Sequence, residues 1–468
     1  DHRDLHRLIR RQRQMCIRDR VNYTHQNIGT FGISGNLQYH SSDAEFADWG
    51  TLTHKNKLSL YNCFARVHWD KDYAQNVFTS VDLVYSAGGP NPDDELNYGS
   101  DIHSEHRDMG YSSIEANAQL EYSPSDKISL AIGGDYKADN YNIQTTWSVF
   151  EHSFGEYHVG DSIALGGVNG DTSFTNTGLY TQAIYRPTEK LNFTQGLIYT
   201  INNVYGNFFD FRFGAVFKIF EDGNCKLLFG SSSKMPPVEM LFTEPMYSGD
   251  AVGNADLEPE LARTFDVEIT PLNTEDFRAS FDVFYNLVDK KIGFVYSDGI
   301  YEAHNCVDVG IMGVEGALRW GHKNFTVNWN VSYQHTEKRS DDLERDSDIA
   351  LFDVVSFEAP RLLSYSSVNY VITPIRLSMN FEQKYVGERN ASQPNIALNG
   401  GELYKLGAYQ IYNLTLSTTR LRLFPIGETR FSLSLKNLTD EEYIEPGYNG
   451  VDIPGIKRTI YFGAMQMF

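Results

Sequence analysis

The 468-residue chain has no apolar run long enough to cross a bilayer as a helix, which takes roughly 20 residues. A helical membrane protein is excluded. It has no G-x-S-x-G, H-E-x-x-H, P-loop or G-x-G-x-x-G in a credible setting, so no enzyme constellation is visible. Cysteine is scarce: Cys16, Cys63, Cys225 and Cys306 lie far apart and form no C-x-x-C pair. Their spacing identifies neither a metal site nor a disulfide. Positive charge is in the minority, with 40 Lys+Arg against 61 Asp+Glu and a net charge of -21. No basic stripe is available to neutralise phosphates, which argues against nucleic acid as a partner.

What is abundant is aromatic side chain, 29 Tyr and 29 Phe, and period-two alternation. Ser113–Tyr122 puts Ile114, Ala116, Ala118, Leu120 and Tyr122 on one parity, with Glu115, Asn117, Gln119 and Glu121 on the other. Phe277–Leu287, Phe325–Gln334 and Ile375–Lys384 repeat the pattern. Such segments are strands with two unlike faces. Alternation alone does not separate a soluble sandwich, core on one side and water on the other, from a barrel with lipid outside and a wet lumen within. The connections separate them. Tight Pro, Gly, Asn and Asp turns recur at 122–127, 185–190, 220–225, 271–276, 321–324, 372–374 and 424–428. Longer polar connections alternate with them at 87–111, 151–172, 233–260, 337–360 and 389–407; one outer connection near 203–207 is short. Tight turns at one end and large loops at the other describe an up-and-down antiparallel transmembrane β-barrel in an outer membrane. Counting segments predicts about 18 strands. The last forty residues agree: RFSLSLKNL alternates, a Gly/Pro-rich excursion follows, and an extended segment ends on Phe468.

The first twenty residues stand apart. They hold seven Arg, no initiator Met and no apolar h-region, so they are not a secretory signal. They look like translated sequencing-adapter DNA; the rival reading is a basic arm. Residues 1–20 are therefore expected to be non-native and disordered, with the barrel over 21–468.

Five blocks carry a family resemblance. Phe229–Leu241 holds Lys234, Pro236, Pro237 and Glu239. Gly253–Ile269 holds Gly253, Asn254, Leu257, Pro259 and Glu260. Asn305–Trp320 holds Gly313, Val314 and Glu315. Phe357–Tyr370 holds Pro360 and Arg361. Lys436–Tyr448 precedes the closing strand to Phe468. In this order and spacing over residues 229–468 they resemble the β-barrel of a TonB-dependent outer-membrane receptor. The resemblance implies a location in the bacterial outer membrane, outer-membrane lipid as solvent, a small nutrient ligand, the energy-coupling protein TonB as partner and a surface lipoprotein as a further candidate partner. It also implies an N-terminal plug and a TonB-contacting peptide, neither visible in this sequence, and about 22 strands in the whole barrel. The chain is expected to be a truncated receptor with no resident cofactor. Gln466 departs from the family by sharing the parity of Phe468.

Candidate ligand contacts lie in the external loops. His103, Glu105 and His106 fall in one predicted loop, His152 and His158 in the next. Two His with a carboxylate have the donor set for a transition metal, although exposed loop His without metal is commoner; no metal is assigned. Asp341, Asp342, Glu344, Asp346 and Asp348 carry oxygen ligands suited to calcium, or simply make a solvated acidic tip. Haem receptors of this family tend to carry a His between the two blocks that here read SKMPPVEM and GNADLEPE; the intervening LFTEPMYSGDAV has none, which disfavours haem. The lumen parity carries Glu115, Glu121, Asp135, Asp266, Glu268, Asp282 and Glu382: a solvated wall, or in a full receptor the partner of the plug. Three functions fit these observations: receptor-mediated uptake of a metal chelate, cobalamin or oligosaccharide; a passive porin; and a barrel hydrolase. A rim Ser/His pair would point to the third.

Overall fold

The computed structural model describes residues 13–44, 47–48, 51–52, 56–97, 103–165, 171–244, 251–297, 300–341, 359–391, 395, 399–400, 404–419, 421–423, 427–448 and 451–467. The alternating segments pair into one sheet of 21 strands, two of which (Ser162–Leu165 and Ala251–Val252) are short additions at one end. The rest form a wall: β1 (Arg13–His25), β2 (Gly29–Ala44), β3 (Asn56–Ala74), β4 (Val77–Pro90), β5 (His103–Ser125), β6 (Ile128–Phe150), β7 (Asp171–Thr188), β8 (Leu191–Asn202), β9 (Gly206–Phe220), β10 (Gly223–Lys234), β11 (Glu260–Asn273), β12 (Phe277–Ser297), β13 (Ile300–His322), β14 (Phe325–Asp341), β15 (Leu362–Ile372), β16 (Leu377–Val386), β17 (Tyr409–Thr418), β18 (Glu428–Lys436) and β19 (Thr459–Met467). Each is antiparallel to the next in sequence. Nineteen wall strands stand against the expected 18. Among the described residues no ladder joins β1 to β19.

The two faces of this sheet have opposite chemistry. On one parity, large apolar side chains stand uncovered: Phe281 at 49% exposure, Val283 at 43%, and likewise Ile114, Leu120, Trp329, Tyr333 and Phe381. The other parity is polar and tied by side-chain hydrogen bonds, such as His68 to Asp70 and Asp82 at 2.9 and 3.0 Å. A sandwich would bury its apolar parity against a second sheet. Here that face has no protein partner, so its solvent is lipid. Two buried apolar clusters are described, around Leu241 and around Tyr409. Both sit at the end that carries the longer connections, hereafter the loop end.

The tight turns at 122–127, 185–190, 220–225, 271–276, 321–324 and 372–374 fall where composition placed them, with Thr373–Ile375 forming a 3₁₀ turn that closes through Arg376 at φ 54°; the turn expected at 424–428 lies largely outside the described residues. Three expectations need correction. Residues 13–20, expected to be disordered, continue β1 and pair with β2, from Arg13 opposite Ser41 to Arg20 opposite Ser34; this concerns their conformation, not their origin. A second short outer connection joins β12 to β13 across residues 298–299. The connection expected over 87–111 is shorter, because β4 runs to Pro90 and β5 starts at His103. Strands at the loop end continue past the lipid, where no apolar parity marks them. β5, β6 and β13 have 23 residues each, when a crossing takes about 9–11.

Candidate ligand-binding site

In the connection 235–259, between β10 and β11, the described residues 235–244 and 251–259 lie against the wall. Pro236 and Pro237 stop β10, and a five-residue helix, α1 (Val238–Phe242), follows. Leu241 and Leu257 are almost fully buried with Val238, Phe174 of β7 and Ala303 of β13, and Tyr141, Tyr205, Ile292 and Phe294 pack around them. The segment thus folds back onto wall strands far from its own in sequence. Its turns are closed by Gly253 N–H donating to Thr243 O at 2.7 Å and Asn254 N–H to Met240 O at 2.8 Å. A Cβ on Gly253 would lie 2.5 Å from the Leu241 carbonyl carbon, so only glycine fits. Pro259 leads into β11, where Glu260 receives Lys234 Nζ at 3.0 Å and Ile292 N–H at 2.8 Å. Tyr205 Oη donates to Pro236 O at 3.1 Å. Burial in this cluster pushes its phenol up to about 12.

Between α1 and the wall lies a cavity of about 480 Å³. Its floor is one register row on the polar parity: Gln38 opposite Asn62, Asn62 opposite Gly88, Gly88 opposite Tyr111, Tyr111 opposite Tyr141. Tyr111 Oη donates to Asn62 Oδ1 at 3.3 Å, and Asn142 Oδ1 is buried without a hydrogen-bond partner. Arg107 reaches the lining, but its Nε and Nη2 donate to Asp94 at 2.8 and 2.9 Å. The Asp94 side chain is completely buried and also accepts Ser59 N–H at 2.9 Å.

A second concavity, also about 480 Å³, is acidic. Glu268, Asp282 and Glu315 sit side by side on β11, β12 and β13, with Lys226 Nζ 2.9 Å from Glu268 and Asp282 Oδ1 unpaired. A third, of about 390 Å³, is edged by Arg361, Arg389 and Lys405. There Arg389 is bonded to Glu445, and Lys405 to Glu388 at 2.6 Å. Nearby, the connections 387–408 and 437–458 are latched together. Asp452 accepts Tyr404 Oη at 2.5 Å and Asn395 Nδ2 at 2.9 Å, Tyr409 Oη donates to Glu445, and the Tyr443 ring stacks on Tyr409 at 4.2 Å. Burial and the Asp452 carboxylate push the Tyr404 phenol up to about 12.

A family model, TonB dependent receptor-like β-barrel, matches residues 10–438. The chain belongs to the TonB-dependent receptor family. Among solved structures, the siderophore receptor PirA from Acinetobacter baumannii has TM-score 0.70 at 13% identity, over 97% of this chain and 70% of that one. The FrpB iron transporter from Neisseria meningitidis (F3-3 variant) has TM-score 0.66 at 12%, over 96% and 71%. The copper transporter OprC has TM-score 0.71 at 14%, over 98% and 71%. At such identity the likeness is one of fold, the up-and-down barrel of these receptors. No curated protein sequence matches significantly.

The receptor barrel redistributes the residues singled out by sequence. His103, Glu105 and His106 open β5 instead of lying in a loop. Glu105 is 2% exposed, its backbone paired both ways with Leu96. The His103 ring lies 6.1 Å from Phe150. His152 and His158 are exposed beyond β6, with His158 Nδ1 3.7 Å from Asp161. Among the described residues no three His, Cys, Asp or Glu side chains are placed to hold a metal. His106 Nε2 lies 3.3 Å from Ser104 Oγ, a rim Ser/His pair. Ser104 is 3% exposed, so the hydroxyl is closed to substrate, and no carboxylate orients the ring as a triad requires. Gly313 makes room on the polar parity: a Cβ there would meet the Phe284 ring at 2.4 Å. Val314 faces lipid, and Glu315 accepts Ser332 Oγ at 3.0 Å. Pro360 and Arg361 lead into β15, and Arg361 O accepts Gln334 N–H at 2.9 Å. Phe468, Asp342, Glu344, Asp346 and Asp348 lie outside the described residues. Sequence reasoning missed Tyr61, Tyr111, Tyr141 and Asn142, whose only signal is cross-strand register.

Proposed function

We propose that this barrel belongs to a receptor of the Gram-negative outer membrane that captures a scarce solute at its loop end and admits it with energy delivered through TonB. Non-covalent capture, with no catalysis, is the role of this chain. The observation that carries the reading is the inward-folded connection 235–259, which walls a cavity against β2–β6. A passive porin needs an unobstructed lumen; a receptor needs a concave site at the entrance. Structural relatives that are an iron transporter, a siderophore receptor and a copper transporter support solute import without choosing the solute. A surface lipoprotein partner belongs to the same proposal.

The test is to produce the protein from its complete locus in Gram-negative cells with and without TonB. Outer-membrane fractionation and energy-dependent accumulation of a bound solute are expected. Equal solute entry in both strains, slowing as solute size increases, would return the porin reading.

A further inference from the structure

We propose that the cavity between α1 and β2–β6 takes an electrically neutral ligand with a flat apolar face and several hydroxyl or amide groups. A pyranose of an oligosaccharide and an amide-bearing macrocycle share this chemistry. The inference rests on the receptor reading above and adds the class of solute.

The lining decides the class. Tyr111 and Tyr141 offer aromatic surface, which packs against the C–H face of a ring. Gln38 and Asn62 offer amides, each donor and acceptor at once, the pattern that hydroxyls and amides satisfy. Among the described residues no carboxylate lines the cavity. Its guanidinium, Arg107, donates Nε and Nη2 to the wholly buried Asp94, so it cannot turn these to an anion without stranding that carboxylate. Apart from the His40 imidazole, which also lines the cavity, an anionic chelate would meet no further cationic side chain in return for its hydration. It would also approach a chain of net charge -21, which repels it.

The experiment measures binding to the full chain in detergent micelles, by calorimetry, at low and high NaCl. The probes are an array of neutral oligosaccharides, cyanocobalamin and a ferric tris-catecholate. We expect saturable binding of an oligosaccharide or of cyanocobalamin that salt leaves unchanged, and competition between the two arms tells which source supplies the ligand. Tyr111→Ala and Asn62→Ala should each weaken it about tenfold or more, a tenfold loss being 1.4 kcal/mol. Tyr111→Phe, which keeps the ring, should stay near wild type. Val238→Trp should block binding by filling the cavity from α1. Heat-shifted gel mobility checks that each variant is folded. Binding of the ferric catecholate alone, weakening with salt, would overturn the neutral class and leave the receptor reading standing. Neutral binding indifferent to all these substitutions would overturn the site. Failure of every probe to bind folded protein would overturn both.

Discussion

Asp94 is a carboxylate with no contact to water, held in place by two bonds from Arg107 and one backbone N–H of Ser59. Removing one partner of such a pair leaves an uncompensated buried charge, at a cost of about 3–5 kcal/mol. Arg107→Ala should therefore release the segment Asn91–Asn97, read as faster amide hydrogen exchange there, while Asp94→Asn in the same chain restores part of the protection. Tyr404 behaves oppositely with pH. Its phenol is raised from 10.0 to about 12 by burial and by Asp452, so the folded loop favours the neutral form. Its contribution to the latch is complete below pH 10 and is lost as pH rises through about 12. Ultraviolet difference titration should show several late-titrating phenols, Tyr205 among them, and one fewer in Tyr404→Phe.

The connection 235–259 shows how an element without regular structure acquires a fixed shape. α1 has only five residues and no stability of its own. Its order comes from Leu241 and Leu257 among side chains of β6, β7 and β13. Leu257→Ala removes a buried side chain from that cluster, and such truncations cost about 2–5 kcal/mol. Limited proteolysis should then cut the connection while the wall strands keep their protection. Little of this was visible in the sequence. Pro236, Gly253 and Leu257 could be recognised as a block, but the partners that give the block its meaning lie far away: Phe174, Tyr205 and Ala303 carry no local mark. The His103–His106 stretch was misplaced for a related reason. Polar Asp93, Asp94 and Asn97 looked like a loop, yet above the lipid a strand needs no greasy parity, and alternation, the one dependable mark, fades there.

Across the whole molecule that mark was sufficient. Period-two alternation is imposed by lipid on one side and water on the other, so the wall strands were readable segment by segment, and Pro, Gly and Asn turns gave their ends. The same asymmetry makes a paired prediction on β12. Val283, exposed on the lipid parity, should tolerate Arg poorly, at about 2–4 kcal/mol if near the bilayer midplane. Ser280 lines the acidic concavity beside Glu268, and Arg there gains a counter-charge. Urea midpoints in lipid vesicles should fall for Val283→Arg and hold for Ser280→Arg.

The unequal strand lengths give the mouth a profile. Hairpins β5–β6 and β12–β13 run to 21–23 residues, whereas β8 has 12 and turns at once through Asn203–Tyr205. Among the described residues the rim is therefore a crenellated parapet, with tall merlons at these hairpins and a low sill where β8 turns into β9. A bulky particle such as an antibody or a phage tail tip meets the merlons first, while a small solute slips over the sill.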